Sequence, residues 1–306
     1  MEFRPDRRAG IIAGLVILVT IVSIQGLVLA NVLRQGPGLG QYLTAVLFVM
    51  TLPALALWAH YFYELVTLTY RLDRGKLVIR SGWLERTVPL RLIERHVAGA
   101  EVAAGAQFHG IAWPGFGHGH LHLRNVGRVR VYSTAPLERH LILVCQQPPD
   151  GEITEADLSV AISPRNPAQF IRALETRRQI GPLHAPEPAL EWHGPGAWPV
   201  WRDGLFWALA LAAVVLGIAL YGLLALRYDQ LPTRLPLHYG ADGLADRVDL
   251  KQYLLVVPAI GTLVTAINGL LALLLHRRQR LIALLLNGGS VGIVALLWVA
   301  LAGLVY

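Results

Sequence analysis

The chain has 306 residues, of which 54% are hydrophobic and only 15% charged, with a mean hydropathy of +0.48, whereas a soluble globular chain is typically about 25% charged. That excludes an ordinary soluble domain and requires much of the sequence to face lipid. The net charge of +7 has the signature of basic residues beside membrane spans, so no nucleic-acid partner is expected, and a single cysteine, Cys145, excludes an internal disulfide, with no Cys/His spacing of the structural zinc type.

In chain order, Arg4, Arg7 and Arg8 precede an apolar run longer than a signal h-region and without a clear cleavage site, so a retained anchor is expected. Crossing roughly 30 Å of hydrocarbon takes about 20 helical residues. Five stretches are long and apolar enough: 10–33, 42–63, 204–226, 253–275 and 281–305. The clusters Arg4/Arg7/Arg8, Arg71/Arg74/Lys76/Arg80 and Arg277/Arg278/Arg280 all fall on one side of that arrangement. The positive-inside rule makes that side cytoplasmic, with the N-terminus and the soluble segment inside the inner membrane and Tyr306 outside. Arg34, Arg227, Arg234, Arg247 and Lys251 on the other side weaken the contrast.

Residues 1–66 thus read as a two-helix hairpin and 67–180 as a soluble domain. Within the latter, 70–80 predicts a hairpin turning at Asp73-Arg74-Gly75, with Gly75 left-handed. Further strands are expected at 85–89, 120–124, 128–133, 140–145 and 158–162. A closing helix runs from Pro167 to Arg178, with Asn166 as N-cap, an apolar stripe of Phe170, Ile171 and Leu174, and Arg177 and Arg178 at its C-terminal end. The stretch 181–202 holds Pro182, Pro186, Pro188, Pro195 and Pro199, and reads as a linker whose Trp192, Trp198 and Trp201 lie at headgroup level. The rest, 203–306, reads as a three-helix membrane domain with an outer loop at 227–252.

Two families are resembled. The hairpin 70–80, the run Val88-Pro-Leu-Arg-Leu-Ile93, the turn Gly110-Ile-Ala-Trp-Pro-Gly115, Val129-Arg-Val-Tyr-Ser-Thr134 and the segment Ile162 to Phe170 resemble the pleckstrin-homology-like domains of bacterial membrane proteins. That resemblance implies a small, partly open β-barrel capped by the closing helix. The fold class is then an α-helical membrane protein with five transmembrane helices and an inserted cytosolic β-barrel. Separately, Leu231, Pro232, Pro236, His238, Gly243 and Asp246 match the loop of an uncharacterised bacterial membrane-domain family, with Tyr239 where it favours Phe and Ala245 in place of a usual proline. That family occurs in the N-terminal part of immunity proteins acting against a secreted toxin, and implies no established enzyme chemistry.

Several constellations invite chemistry. In the outer loop, proline stiffness and a return at Gly243 would bring His238 beside Asp242 or Asp246, either as a ligand, cation or proton site or as a structural plug. Arg71, Arg74, Lys76 and Arg80 are candidates for contact with anionic headgroups, each basic group adding about 1 kcal/mol near an anionic leaflet. The alternative is a solvated face. His118, His120 and His122 alternate along a strand, but nothing nearby in sequence supplies a carboxylate, so no metal is expected. His60 and Glu64, one helical turn apart among Trp58, Tyr61, Phe62 and Tyr63, read as part of an interfacial belt reaching water. Gly288-Gly-Ser-Val-Gly292 matches G-x-S-x-G, but inside an apolar helix its G-x-x-x-G spacing reads as close helix packing.

No nucleophile with a base, metal triad or phosphate loop is visible, so neither an enzyme nor a cofactor is expected. The expected function is that of a membrane-associated scaffold or interaction module, with the bilayer, its anionic headgroups and a protein as partners. The alternative is an immunity or sensor protein that recognises a peptide or small ligand through its extracytoplasmic loop.

Overall fold

The computed structural model describes residues 1–146, 159–181, 187–239 and 245–305, with 237–239 and 245–247 described by their backbone alone. A short strand β1 (Glu2–Phe3) precedes the helices α1 (Arg8–Arg34) and α2 (Leu39–Thr67). There follow β2 (Thr69–Leu72), β3 (Lys76–Ser81), β4 (Leu84–Pro89), β5 (Ile93–Ala98), a single turn α3 (Gly99–Val102), β6 (Gln107–Trp113), β7 (Phe116–Leu123), β8 (Gly127–Ser133), β9 (Leu141–Cys145), β10 (Ser159–Ile162) and α4 (Pro167–Ile180). After β11 (Ala189–Trp192) come α5 (Gly204–Arg227), the hairpin β12 (Arg234–Tyr239) and β13 (Ala245–Leu250), α6 (Val256–Leu275) and α7 (Arg280–Val305).

In lipid every backbone polar group must be satisfied within its own segment, so uninterrupted apolar sequence becomes helix. Five helices are long and apolar enough to cross a membrane, and they coincide with the five expected spans. Their side chains face outward, Leu27 at 73% and Leu296 at 71% exposure, a cost in water but not against hydrocarbon. The helices divide between two compact units, the first comprising Met1–Val22 with Pro53–Ala197 and the second Ser23–Leu52 with Trp198–Tyr306.

In the first unit the strands form two sheets, ordered β1-β2-β3-β4-β11 and β5-β9-β10-β8-β7-β6. This corrects the expected barrel. A 3-10 turn at Leu90–Leu92 ends β4, and β5 leaves it to pair with β9, so the two sheets face each other and, among the described residues, no ladder closes them into a barrel. Between them lies a core of Leu72, Leu77, Ile79, Leu143, Val160 and Ile162, closed by Phe170 and Leu174 of α4. Asn166 caps α4 as its side chain accepts from Gln169 N at 3.0 Å. The Tyr70 hydroxyl donates to Tyr132 O at 2.7 Å and accepts from Ser163 N at 3.2 Å, with burial pushing it up to about 12.

Three sequence expectations are revised here. Gly75 is not among the glycines with positive φ; the hairpin turn closes with Asp73 N donating to Lys76 O at 2.9 Å, while Arg74 N donates to the Asp73 carboxylate at 2.9 Å. The strand expected at 120–124 begins at Phe116 and takes in the glycine run. Part of the proline-rich linker is β11, which pairs antiparallel with β4 from Ala189↔Thr87 to Trp192↔Leu84. Residues Leu158, Pro182 and Pro186 lie outside the described residues.

In the second unit α5, α6 and α7 pack around Leu220, Leu224, Leu254 and Leu301 at the hairpin end, and around Phe206, Ala272 and Ala283 at the other. At that second end Asp203 caps α5 and draws in the neighbouring helices. Its carboxylate lies 2.8 Å from His276 Nε2 and accepts from Arg280 Nε at 2.6 Å and Nη2 at 3.0 Å. Arg280 first and His276 second hold that carboxyl well below the usual carboxylate range. Between α6 and α7, Asn268 Nδ2 donates to Ser290 Oγ at 3.1 Å. Ser290 is therefore a polar tie between helices, while the flanking glycines do not pack: a Cβ on Gly288, Gly289 or Gly292 meets nothing within 4 Å. The expected close approach at this G-x-x-x-G is overturned, because Ser290 rather than the glycines faces the neighbouring helix.

Candidate functional site

The residues singled out in the sequence fall at two places. Arg71, Lys76 and Arg80 share one face of the first sheet, since Arg71 pairs with Val78 between Lys76 and Arg80 on β3, while Arg74 sits exposed at the turn. Glu2, Glu85 and Glu191 occupy the same face by register, opposite Arg71, Arg80 and Glu85 in turn. The face is therefore mixed in charge rather than uniformly basic. The loop between α5 and α6 is a β-hairpin in which Asp246 is the extra residue between the pairs His238↔Arg247 and Tyr239↔Ala245. A bulge of this kind re-aims the residues beside it, and it places His238 and Asp246 at neighbouring backbone positions. Asp242 and Gly243 lie outside the described residues.

A third cluster, read in the sequence as two separate features, is one site in the structure. Glu64, in the last turns of α2, is 2% exposed. Its carboxylate lies 3.3 Å from His60 Nε2 and 2.5 Å from His118 Nδ1 of β7. On the far side of that ring His118 Nε2 accepts from Arg130 Nη2 at 2.6 Å. A guanidinium has donors only, so Nε2 carries the lone pair and Nδ1 the proton that faces Glu64. The Glu64 approach is short but out of line with the ring N–H, since neither Nδ1 nor Oε2 completes a hydrogen bond; the carboxylate faces the positive end of the ring dipole. Arg130 also reaches His120 Nε2 at 3.0 Å, and Arg128 Nη2 reaches the same nitrogen at 3.1 Å.

Strand alternation builds this chain. His118, His120 and His122 project from one face of β7, opposite Tyr132, Arg130 and Arg128 of β8, while Leu121 and Leu123 enter a separate apolar cluster with Val129, Val131 and Ile142 on the other face of that sheet. The same face continues into Phe116 and Trp113, which pack with Leu65 and the partly buried Trp58, Tyr61 and Ile17. Two close approaches fix the joint. The β6–β7 turn meets α1 where Gly10 and Gly115 touch, a Cβ on Gly10 standing 2.2 Å from Gly115 O, and Trp113 Nε1 donates to Gly10 O at 3.1 Å. Arg7 donates to Val66 O at 2.5 Å and to Leu68 O, placing its charge at the carbonyl end of α2.

In the sequence His60 and Glu64 raise the suspicion due to any ionisable pair at i and i+4 within an apolar helix, and the aromatic residues around them set it aside as an interfacial belt; the structure corrects this, because Glu64 is buried and its further partner, His118, comes from β7. At 2% exposure the carboxylate is out of reach of a substrate, so the arrangement suits locking a helix to a sheet. Among the described residues no group of three or more His, Cys, Asp or Glu could hold a metal ion.

Residues 68–178 match the family model of the bacterial PH domain, and residues 208–262 that of a domain of unknown function, DUF1648. The first match covers β2 to β10 with most of α4 but not β11, and the second covers most of α5, the hairpin and the start of α6. These matches make the chain similar to a membrane-associated module and carry no link to toxin immunity. Neither the curated proteins nor the solved structures include a match.

Proposed function

We propose that the chain is a non-enzymatic bacterial membrane protein in which the PH-like domain is a docking module for a protein partner, built as a stiff outgrowth of the first two spans. The observation that carries this reading is the buried Glu64–His118 contact, which joins a span to a sheet with no flexible linker: only Leu68 separates α2 from β2. A module on a flexible tether would need no ionised group buried at its joint. The face bearing Arg71, Lys76 and Arg80 is the docking surface, and its interspersed glutamates favour a protein over an anionic leaflet, because charges of both signs confer specificity rather than attraction to a surface of one sign. A sensor reading of the outer hairpin is second, favoured by the bulge that sets His238 beside Asp246.

A photo-crosslinking amino acid at Thr69 or Thr87, both on the docking face, tests these readings in intact cells. A discrete protein adduct that Arg71→Glu with Arg80→Glu abolishes is expected. Adducts to lipid alone would move the contact to the leaflet. Adducts from a probe at Val248 of the hairpin, with none from the sheet, would favour the sensor.

A further inference from the structure

We propose that the second unit holds a built site for one acyl chain of a bilayer phospholipid, an inference that rests on the chain spanning a membrane. A cleft of about 660 Å³ opens among the turn end of α1 and α2, α5 and α6, all within that unit. Its size falls in the range of about 300–1,000 Å³ typical of small-molecule sites. Polarity runs along one axis of the cleft. Gln41, Tyr42 and Tyr228 line it near the α1–α2 turn and the hairpin, whereas the wall deeper along the helices is almost entirely carbon. The mid-depth hydroxyls of Tyr221 and Thr262 lie 3.2 Å apart and Thr262 also donates to Pro258 O at 3.0 Å, so these groups satisfy one another and demand nothing polar of an occupant.

Small residues on spans usually let helices meet, and Gly222 and Gly261 do so. A Cβ on Gly222 would stand 2.9 Å from the Tyr42 hydroxyl, and one on Gly261 3.1 Å from Leu297 Cδ1. Gly217 and Gly269 differ: both line the cleft, and a Cβ on either meets nothing within 4 Å. These two glycines set the breadth of the cleft. A void of this kind forfeits dispersion contacts along its whole lining. Hydrocarbon restores them, and an acyl chain with its headgroup beside Tyr42 matches the polarity from end to end.

Native mass spectrometry of the full chain, purified in mild detergent from a membrane of phosphatidylethanolamine and phosphatidylglycerol, tests the site. The expected result is one retained phospholipid on the wild type and on Gly288→Leu, an equally open glycine outside the cleft, and its loss from Gly217→Leu with Gly269→Leu at an undiminished melting temperature. If that double variant does not fold, a phospholipid with a diazirine on its acyl chain replaces it as the readout, and should label α5 and α6 of the wild type around the cleft. A bare wild type, an adduct that survives filling of the cleft, equal loss in Gly288→Leu, a free fatty acid or isoprenoid in the phospholipid's place, or photolabelling spread over α7 would each overturn the proposal.

Discussion

Two clusters in this molecule join a carboxylate with histidine and arginine, and differ at the cation. Asp203 meets His276 and Arg280 directly, at the ends of three helices; the side chains of Asp203 and His276 are 7% and 4% exposed, but that of Arg280 is 60% exposed. Glu64 meets His60 and His118 directly but reaches Arg130 only through the His118 ring, and is itself 2% exposed. The first cluster is a staple that water can repair, since solvent reaches its cation. The second cannot be repaired in that way. His118 comes from a strand of the sheet, and removing it leaves the Glu64 carboxylate uncompensated in a dry place. Similar chemistry thus has different consequences according to whether solvent reaches a charged partner.

The largest expected effect is therefore at Glu64. Breaking a buried pair by removing one partner costs about 3–5 kcal/mol, whereas replacing both partners with apolar residues is often near neutral. His118→Leu, which strands the Glu64 carboxylate, should lower the melting temperature sharply and open the sheets to protease, and Glu64→Leu with His118→Leu should recover much of the loss. If His118→Leu costs no more than Asp203→Asn, the contrast between the clusters is wrong.

Next in size is the backbone contact beside it. Gly10→Leu places a side chain where Gly115 O already stands 2.2 Å from the Cβ position, and overpacking of this kind costs about 1–3 kcal/mol. Differential scanning fluorimetry and Trp113 fluorescence should both report the displaced turn. An unmoved Trp113 signal would mean that α1 does not bear on the β6–β7 turn.

Asp203 sharpens the comparison through pH. Its carboxyl is held below the usual range by Arg280 and His276, so its contribution is complete above the unfolded carboxylate value of about 3.9 and is lost as pH falls through the lower folded value. The difference in melting temperature between wild type and Asp203→Asn should be flat from pH 5 to 8 and shrink only below about pH 4. A difference that already narrows near pH 6 would show that the Asp203 carboxylate does not carry the staple.

Much of this architecture was legible in the sequence, because length and hydropathy determine spans and period-2 alternation determines strands. The five long apolar helices, the strands β4, β8, β9 and β10 and the Asn166-capped helix were all readable from local pattern. What was not readable depended on partners distant in sequence. β11 has no alternation to announce it and exists because the edge of β4 was available. The role of Glu64 depends on His118, which a sequence presents only as one histidine in a glycine-rich run. The G-x-x-x-G at Gly288 misled for the complementary reason: spacing says which residues share a helix face, but not which face meets a neighbour.

The smallest expected effect is at His140, a buried histidine outside both clusters. Its Nε2 donates to Ala135 O at 2.9 Å, and its Nδ1 has no hydrogen-bond partner among the described residues. Burial, outweighing Ala135 O and Glu138, pushes its pKa below the usual imidazole value. The sign follows from which state takes up the proton. As pH falls through about 6.5 the unfolded chain protonates this histidine while the folded chain holds it neutral, so the folded state loses stability until the lower folded value is passed. His140→Gln should retain a donor to Ala135 O and remove that term. The melting temperature of the wild type should therefore fall more steeply than that of the variant between pH 7.5 and 5.5, with the two curves parallel above pH 7.5. Parallel curves throughout would mean that the folded protein accommodates a charged His140. Curves that diverge in the opposite sense would mean that Glu138, not burial, controls the ring.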